Sequence, residues 1–207
     1  MSFELWIAFA LASTALLAIP GPTVMLVVSY ALGRGRASGW ATVPGVALGD
    51  FTAMTLSLAG AGAVLAASAT LFTALKLCGA AYLVWLGVQL WRAKPAPADI
   101  AGLAIDVPQR RMFWSAFVVT ALNPKGIVFF VAFVPQFVEP AAPLLPQFAI
   151  LVATFVALGT ANAALWALMA GTMRARFRRP STLRLVNRIG GSFLIGAGVL
   201  TAAVRRA

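Results

Sequence analysis

The chain is poor in the residues on which most enzyme and metal chemistry depends. It has 207 residues with no histidine, one cysteine (Cys78) and only five aspartate and glutamate residues. A single cysteine excludes an internal disulfide and a paired-cysteine redox site. The absence of histidine excludes a Ser-His-Asp triad and a histidine-rich metal site. We therefore expect a protein that is not an enzyme and that has no cofactor and no bound metal.

Charged residues are scarce, whereas apolar residues are abundant. Charged residues make up 10% of the chain and hydrophobic residues 61%, and the mean hydropathy is +0.93. A soluble domain typically has about 25% charged and about 45–50% apolar residues. The apolar excess needs lipid around it, so the sequence predicts an integral membrane protein.

The apolar segments predict an all-α membrane protein with six transmembrane helices. A spanning helix takes roughly 20 residues, so six of them with short loops use nearly the whole chain. Residues 1–207 then form a single multi-pass transmembrane domain in the lipid bilayer. We place the helices at about 3–30, 39–66, 69–91, 112–138, 146–172 and 186–204.

The net charge of +11, from 16 lysines and arginines against five acidic residues, indicates the orientation of the chain. With six spans, twelve of the 16 basic residues fall on one side of the membrane. They are Arg34, Arg36, Arg92, Lys94, Arg110, Arg111, Arg174, Arg176, Arg178, Arg179, Arg184 and Arg188. Basic residues concentrate in short cytoplasmic loops. We therefore expect both termini outside and no nucleic-acid partner.

Short motifs recur between the two halves of the chain. Val-Ala-Leu-Gly at 46–49 recurs at 156–159, and Gly-Ala-Ala-Tyr-Leu at 79–83 has a related copy at 190–194. The offsets are 110 and 111 residues. The matches predict a first repeat at about 1–94, a cytoplasmic loop at about 95–111 and a second repeat at about 112–207. With three helices in each half, the second repeat enters the membrane inverted, an arrangement common in secondary transporters.

Both repeats begin with an interrupted helix. Proline removes a backbone donor and clashes with the preceding turn, and glycine adds conformational freedom. Broken helices in corresponding places indicate a transport site near the middle of the membrane, where half-helix ends face a ligand. The interruptions are Pro20-Gly21-Pro22 in the first helix and Asn123-Pro124-Lys125 in the fourth.

Three ionisable residues, Asp50, Lys76 and Lys125, lie within apolar spans. Charges at mid-membrane cost about 2.5–3.5 kcal/mol each on insertion scales, so such residues are rarely idle. Asp50 and Lys76 form a structural ion pair if the second and third helices are neighbours. Alternatively, the three residues line a polar cavity in which Asp50 attracts an amino group or carries a proton and Lys125 attracts a carboxylate. The excess of positive charge favours neutral over cationic substrates.

Further candidate cavity residues are Gly49, beside Asp50, and Asn162, near the repeat-related position of Asp50. Four motifs are distributed over both halves: Pro20-Gly21-Pro22, Gly45-x3-Gly49-Asp50, Lys76-x2-Gly79-x2-Tyr82-Leu83-x3-Gly87 and Asn123-Pro124-Lys125. Together, these motifs resemble the LysE/RhtB family of bacterial amino-acid exporters over essentially the full chain.

The resemblance implies a secondary exporter in the bacterial inner membrane that moves amino acids or close derivatives and uses the proton gradient. Small neutral substrates such as threonine or homoserine are favoured, and the resemblance also implies a homodimer. Two alternatives stay open. One is a divalent metal-ion exporter of the wider superfamily, although such a protein usually needs several carboxylates near the midplane. The other is a membrane scaffold without transport activity.

Overall fold

A computed structural model describes residues 1–93, 107–139, 142–177 and 180–203, and every regular element in these ranges is helical. The predicted all-α class is therefore confirmed. Most of the expected cytoplasmic loop lies outside the described residues. So do three of the twelve basic residues assigned to the cytoplasmic side, namely Lys94, Arg178 and Arg179. Pro140, which follows the fourth predicted helix, and Arg205 and Arg206, which follow the sixth, also lie outside them.

Eight α-helices and three short irregular helical turns follow one another along the described chain. A π-helical turn at Phe129–Phe133 and a 3₁₀ turn at Val134–Phe137 directly continue α6, and a 3₁₀ turn at Arg36–Ser38 precedes α3. The helices are α1 (Phe3–Ala18), α2 (Pro22–Arg34), α3 (Gly39–Ala67), α4 (Ala69–Arg92), α5 (Gln109–Ala121), α6 (Pro124–Val128), α7 (Leu144–Phe177) and α8 (Pro180–Ala203).

The helix ends follow from local sequence. The Ser2 side chain accepts a hydrogen bond from the Leu5 amide at the start of α1, and Ser68 accepts one from the Leu71 amide at the start of α4. Serine is a favoured N-cap because its oxygen satisfies a first-turn amide. The boundary between the second and third predicted helices, expected near Ala67 and Ser68, is thereby confirmed.

Both predicted interruptions are present. The axes of α1 and α2 differ by 54° across the residues between Ala18 and Pro22. In the second half, α5 ends at Ala121 and α6 begins at Pro124, with Asn123 as its N-cap. Each proline stands at the first position of a new helix, where its missing amide hydrogen costs nothing.

The helices of the described ranges do not confirm the predicted six membrane spans. By length and composition, four helical segments in the described ranges suffice to cross a membrane, or five if α1 and α2 count as one bent span. The sixth predicted span, 186–204, corresponds to α8, which is not among them. Arg184, Asn187 and Arg188 make the first half of α8 polar, which lowers its suitability as a span.

Close helix pairs hold the bundle together. The helix α4 packs most extensively on α8, and α3 packs on both α5 and α7. A β-carbon on Gly87 would lie 2.6 Å from the Gly191 carbonyl oxygen, so only glycine permits this approach of α4 and α8.

The two ends of the bundle are chemically different. At one end, an Arg34 guanidinium nitrogen donates to the Val107 carbonyl oxygen. We call this the arginine end. At the other, the amino group of Met1 forms an ion pair with Glu139 at 3.2 Å. We call this the amino-terminal end.

Candidate functional site

The two helix breaks contact each other through Lys125. Its ammonium nitrogen donates to the carbonyl oxygens of Leu16 at 3.1 Å and Ile19 at 2.9 Å. The last carbonyls of a helix lack partners within the helix and carry the negative end of its dipole. Lys125, from the second break, thus satisfies the free end of α1 at the first.

Polar side chains connect the breaks a second time. The Asn123 side chain accepts a hydrogen bond from the Lys125 amide at 3.1 Å and donates to the Thr23 hydroxyl at 3.3 Å. Thr120 donates to the same Thr23 hydroxyl at 3.2 Å. Thr23 belongs to the first turn of α2, so residues of α5 and α6 fix the start of that helix. Gly21, the N-cap of α2, provides no side-chain cap.

A cavity of about 40 Å³, measured as the space open to the centre of a water-sized molecule, lies between the breaks. A single water needs roughly 10–15 Å³ on this measure, so the cavity admits a small solute group. Its walls come from α1, α2, α3, α5, α6 and α7. They are formed by Leu16, Leu17, Gly21, Thr23, Val24, Val27, Val46, Asp50, Thr120, Asn123, Lys125, Gly126, Phe155, Gly159, Asn162 and Ala163.

Opposite charges face each other across this cavity. The Asp50 side chain on α3 is buried, with 8% of its surface exposed, and it interacts electrostatically with Lys125. No direct ion pair joins these two residues. The cavity therefore holds one carboxylate and one ammonium group that attract each other from separate walls.

Gly159 allows Asp50 to reach the cavity. A β-carbon built on Gly159 would overlap the Asp50 carboxylate, so any larger residue there displaces the charge. Gly21 is less constrained, because a β-carbon there would lie 3.4 Å from the Lys125 ammonium nitrogen, an ordinary contact.

The structure brings together five of the ten residues proposed from sequence, namely Gly21, Asp50, Asn123, Lys125 and Asn162. Three others, Pro20, Pro22 and Pro124, form the breaks that position them. Gly49 instead lies against α5, where a β-carbon would come within 2.7 Å of the Thr120 side chain.

Lys76 is not part of this cavity. The alternative of an Asp50–Lys76 ion pair does not agree with the structure, in which Lys125 is the basic residue that interacts with Asp50. The reason is the packing of α4, which lies mainly against α8 rather than α3.

Sequence reasoning missed four residues that shape the site: Thr23, Thr120, Phe155 and Gly159. The internal repeat could have indicated Gly159, because it occupies the position that corresponds to Gly49. Thr23 could have been indicated by its position directly after the first break. Thr120 and Phe155 carried no signal, because their position depends on how α5 and α7 pack. Within the described ranges, no group of three histidine, cysteine, aspartate or glutamate residues comes together as a metal site would require.

Comparison with known proteins gives a consistent result. The family model described as LysE type translocator matches residues 14–203. The chain is 34% identical over 207 residues to a homoserine/homoserine lactone efflux protein of Salmonella typhimurium, covering 100% of both chains. It is 33% identical over 125 residues to a leucine efflux protein of the same organism, covering 60% of this chain and 59% of that one. No solved structure matches this chain.

Proposed function

Because this chain belongs to the LysE family of translocators, we propose that it is a secondary active exporter of amino acids or close derivatives. Two relatives are named for the efflux of homoserine, homoserine lactone and leucine, all small molecules built on an α-amino acid. Small neutral amino acids such as threonine and homoserine are the favoured substrates.

The observation that carries this proposal is the separation of Asp50 and Lys125 across one cavity without a direct ion pair. A zwitterionic amino acid presents an ammonium group and a carboxylate about one carbon apart. In the proposed complex the substrate ammonium pairs with Asp50 and its carboxylate with Lys125. Charge-assisted hydrogen bonds of this kind are roughly twice as strong as neutral ones.

Two further features support the carboxylate position. The start of α2 faces the cavity at Gly21 and Thr23, and the N-terminal end of a helix carries partial positive charge that favours anions. The ammonium of Lys125 has three hydrogens, of which two are used by Leu16 and Ile19. The third is available to a ligand in the cavity.

The charge balance favours substrates with uncharged side chains. The described residues that line the cavity include one carboxylate and one ammonium group, whose charges balance each other. A zwitterion with a neutral side chain preserves that balance. Lysine or arginine would add a positive charge without a partner in a setting where unpaired charge is costly.

The proposed mechanism is alternating access by two inverted three-helix repeats. The first consists of the broken helix α1–α2 followed by α3 and α4, and the second of the broken helix α5–α6 followed by α7 and α8. In such an arrangement the repeat-related helices form pairs, as α3 does with α7 and α4 with α8. The arginine end is proposed to face the cytoplasm of a bacterial inner membrane, with six spans in all.

Asp50 is also the proposed coupling group. A proton and the substrate ammonium compete for the same carboxylate, so arrival of a proton from outside releases the substrate there. Loss of that proton on the cytoplasmic side restores the site. This competition exchanges one substrate outward for one proton inward without any further ionisable residue.

The test is efflux of labelled amino acids from loaded proteoliposomes. We expect the parent to release homoserine, threonine or leucine faster than protein-free vesicles do. We expect Asp50→Asn to lose this activity, whereas its matched control, Glu4→Gln at an exposed carboxylate of α1, retains it. Equal export by the parent and Asp50→Asn at equal incorporation would contradict the assigned role, and failure of the parent to release any of the three would contradict the function.

A further inference from the structure

We infer that the substrate leaves the cavity at the amino-terminal end, through a barrier of phenylalanine rings and along the face of α1 that carries Ser13. This inference rests on the proposed function, because it concerns the route that an exported molecule takes. It adds Ser13 as a residue that the substrate contacts on its way out.

The barrier begins at the cavity wall. Phe155 lines the cavity, and its ring centroid lies 4.8 Å from that of Phe130, edge to face. It also contacts Phe129, with centroids 6.1 Å apart. All three rings are at most 2% exposed.

Ring contacts continue from there to the amino-terminal end. The centroid of Phe129 lies 5.0 Å from that of Phe133, which lies 5.2 Å from Phe137. Phe137 in turn contacts Phe9 of α1 at 5.5 Å. Glu139, which pairs with the Met1 amino group, follows two residues later. An unbroken series of buried rings therefore separates the cavity from this end of the bundle.

The opposite side of the cavity is closed mainly by aliphatic residues. Val27, Val46 and Ala163 line the cavity toward the arginine end and cluster with the buried Ala116 and Ala167. The partly buried Leu26, Val43 and Trp166 pack against this cluster. One aromatic residue on this side, against six buried rings on the other, makes it the weaker barrier. In the proposed orientation, the weaker side is the entrance from the cytoplasm and the aromatic side is the exit.

The aromatic side also contains the segment best suited to move. Phe129–Phe133 forms a π-helical turn and passes directly into a 3₁₀ turn at Val134–Phe137. Such changes of helix type often mark functional sites because they leave the local register weakly determined. A shift of one residue rotates side chains by about 100° around the helix axis. Such a rotation would move the rings of Phe129, Phe130 and Phe133 out of the proposed exit route.

Ser13 marks the path on α1. It is fully buried, and its hydroxyl oxygen is the buried side-chain polar atom in the described part of the chain that lacks a hydrogen-bond partner. Thr14, Thr52 and Thr160 instead donate to the carbonyl four residues earlier, as helix hydroxyls commonly do.

Helical spacing places Ser13 between the cavity and the last ring of the barrier. Leu16 and Leu17, one turn later, line the cavity, and Phe9, one turn earlier, contacts Phe137. A buried hydroxyl without a partner is costly in the closed state. A polar solute or its hydration water that passes along this face would supply the missing partner.

Thiol accessibility tests the route. In a cysteine-free background made by Cys78→Ser, Ser13→Cys is treated with an impermeant maleimide added from the amino-terminal side, with and without L-homoserine or L-leucine in exchange across proteoliposomes. Thr42→Cys, an equally buried hydroxyl position at the arginine end of α3, is the matched control. We expect transport to raise modification of Ser13→Cys at least about tenfold and to leave Thr42→Cys unchanged from that side.

The outcomes separate the route from the function. If the cysteine-free parent (Cys78→Ser) exports substrate but Ser13→Cys is not modified during transport, the route is overturned and the proposed function is not. Absence of any export by the parent would overturn the proposed function, and the route with it.

A second variant addresses the role of the hydroxyl itself. We expect Ser13→Ala to leave the unfolding midpoint in detergent unchanged or raise it, because an unpartnered buried polar atom is removed. Export should nevertheless slow by about threefold to tenfold, the effect of one lost hydrogen bond at the barrier. A purely structural role would not separate the two measurements in this way, and an unchanged export rate would overturn the assignment of Ser13.

Discussion

Replacement of Lys125 by methionine removes the ammonium group that joins the two helix breaks. Methionine keeps the length and most of the apolar volume of the side chain, so the loss of packing is small. The carbonyl oxygens of Leu16 and Ile19 lose their charged donor, and Asp50 loses its opposite charge. The perturbation therefore tests how far Lys125 stabilises the site by itself.

The expected loss of stability follows from these contacts. Each of the two hydrogen bonds from the ammonium group contributes about 1.5–3 kcal/mol, and Asp50, which forms no direct ion pair with Lys125, also loses an opposite charge. The contributions overlap because one ammonium group makes them all. We expect Lys125→Met to lower the free energy of unfolding by about 3–5 kcal/mol.

A double-mutant cycle in mixed detergent micelles measures this loss and its origin. Asp50→Asn in the Lys125→Met background should restore about 1–3 kcal/mol, because the unpaired carboxylate is removed as well. Arg111→Gln, at an exposed basic residue of the same half, should stay within about 0.5 kcal/mol of the parent. A loss below about 1 kcal/mol for Lys125→Met, or strictly additive effects in the cycle, would refute the reasoning.

Three further predictions concern coupling, shape and orientation. Export by the parent from vesicles should be faster when the side of release is made more acidic, because a proton arriving at Asp50 releases the substrate ammonium, and export that does not respond to an imposed pH gradient would contradict coupling through Asp50. Gly159→Ala should lower export at least about tenfold because its β-carbon overlaps the Asp50 carboxylate, whereas Gly60→Ala, where a β-carbon meets nothing within 4 Å, should export normally. Cysteines placed at Arg36 and Arg111 should react with impermeant reagents only from the cytoplasmic side, and reaction from outside would reverse the proposed orientation.

Local features of the fold could be predicted from the sequence. The breaks at Pro20-Gly21-Pro22 and Asn123-Pro124-Lys125 follow from the backbone chemistry of proline and glycine, which does not depend on the surroundings. The boundary at Ser68 follows from serine capping. The apolar excess indicates a membrane protein because no soluble core of this size accommodates it.

Features that depend on packing between distant helices were less predictable. Asp50 and Lys76 are closer in sequence than Asp50 and Lys125, yet α4 packs against α8 and the second break brings Lys125 to the cavity. Lys125 was expected to attract a carboxylate, and the structure shows that it also donates to the carbonyl oxygens of Leu16 and Ile19 at the end of α1. Phe155 and Thr120 had no distinguishing pattern, since phenylalanine and threonine are common in membrane helices.

The central claim is that Asp50 and Lys125 bind the two charged ends of one amino acid. The most direct measurement compares the binding of homoserine, which has a free carboxylate, with that of homoserine lactone, which lacks one, to the parent and to Lys125→Met. If Lys125 binds the carboxylate, the variant should lose about tenfold to a hundredfold in affinity for homoserine and change little for the lactone. Equal losses for both ligands, or no loss for either, would contradict the account.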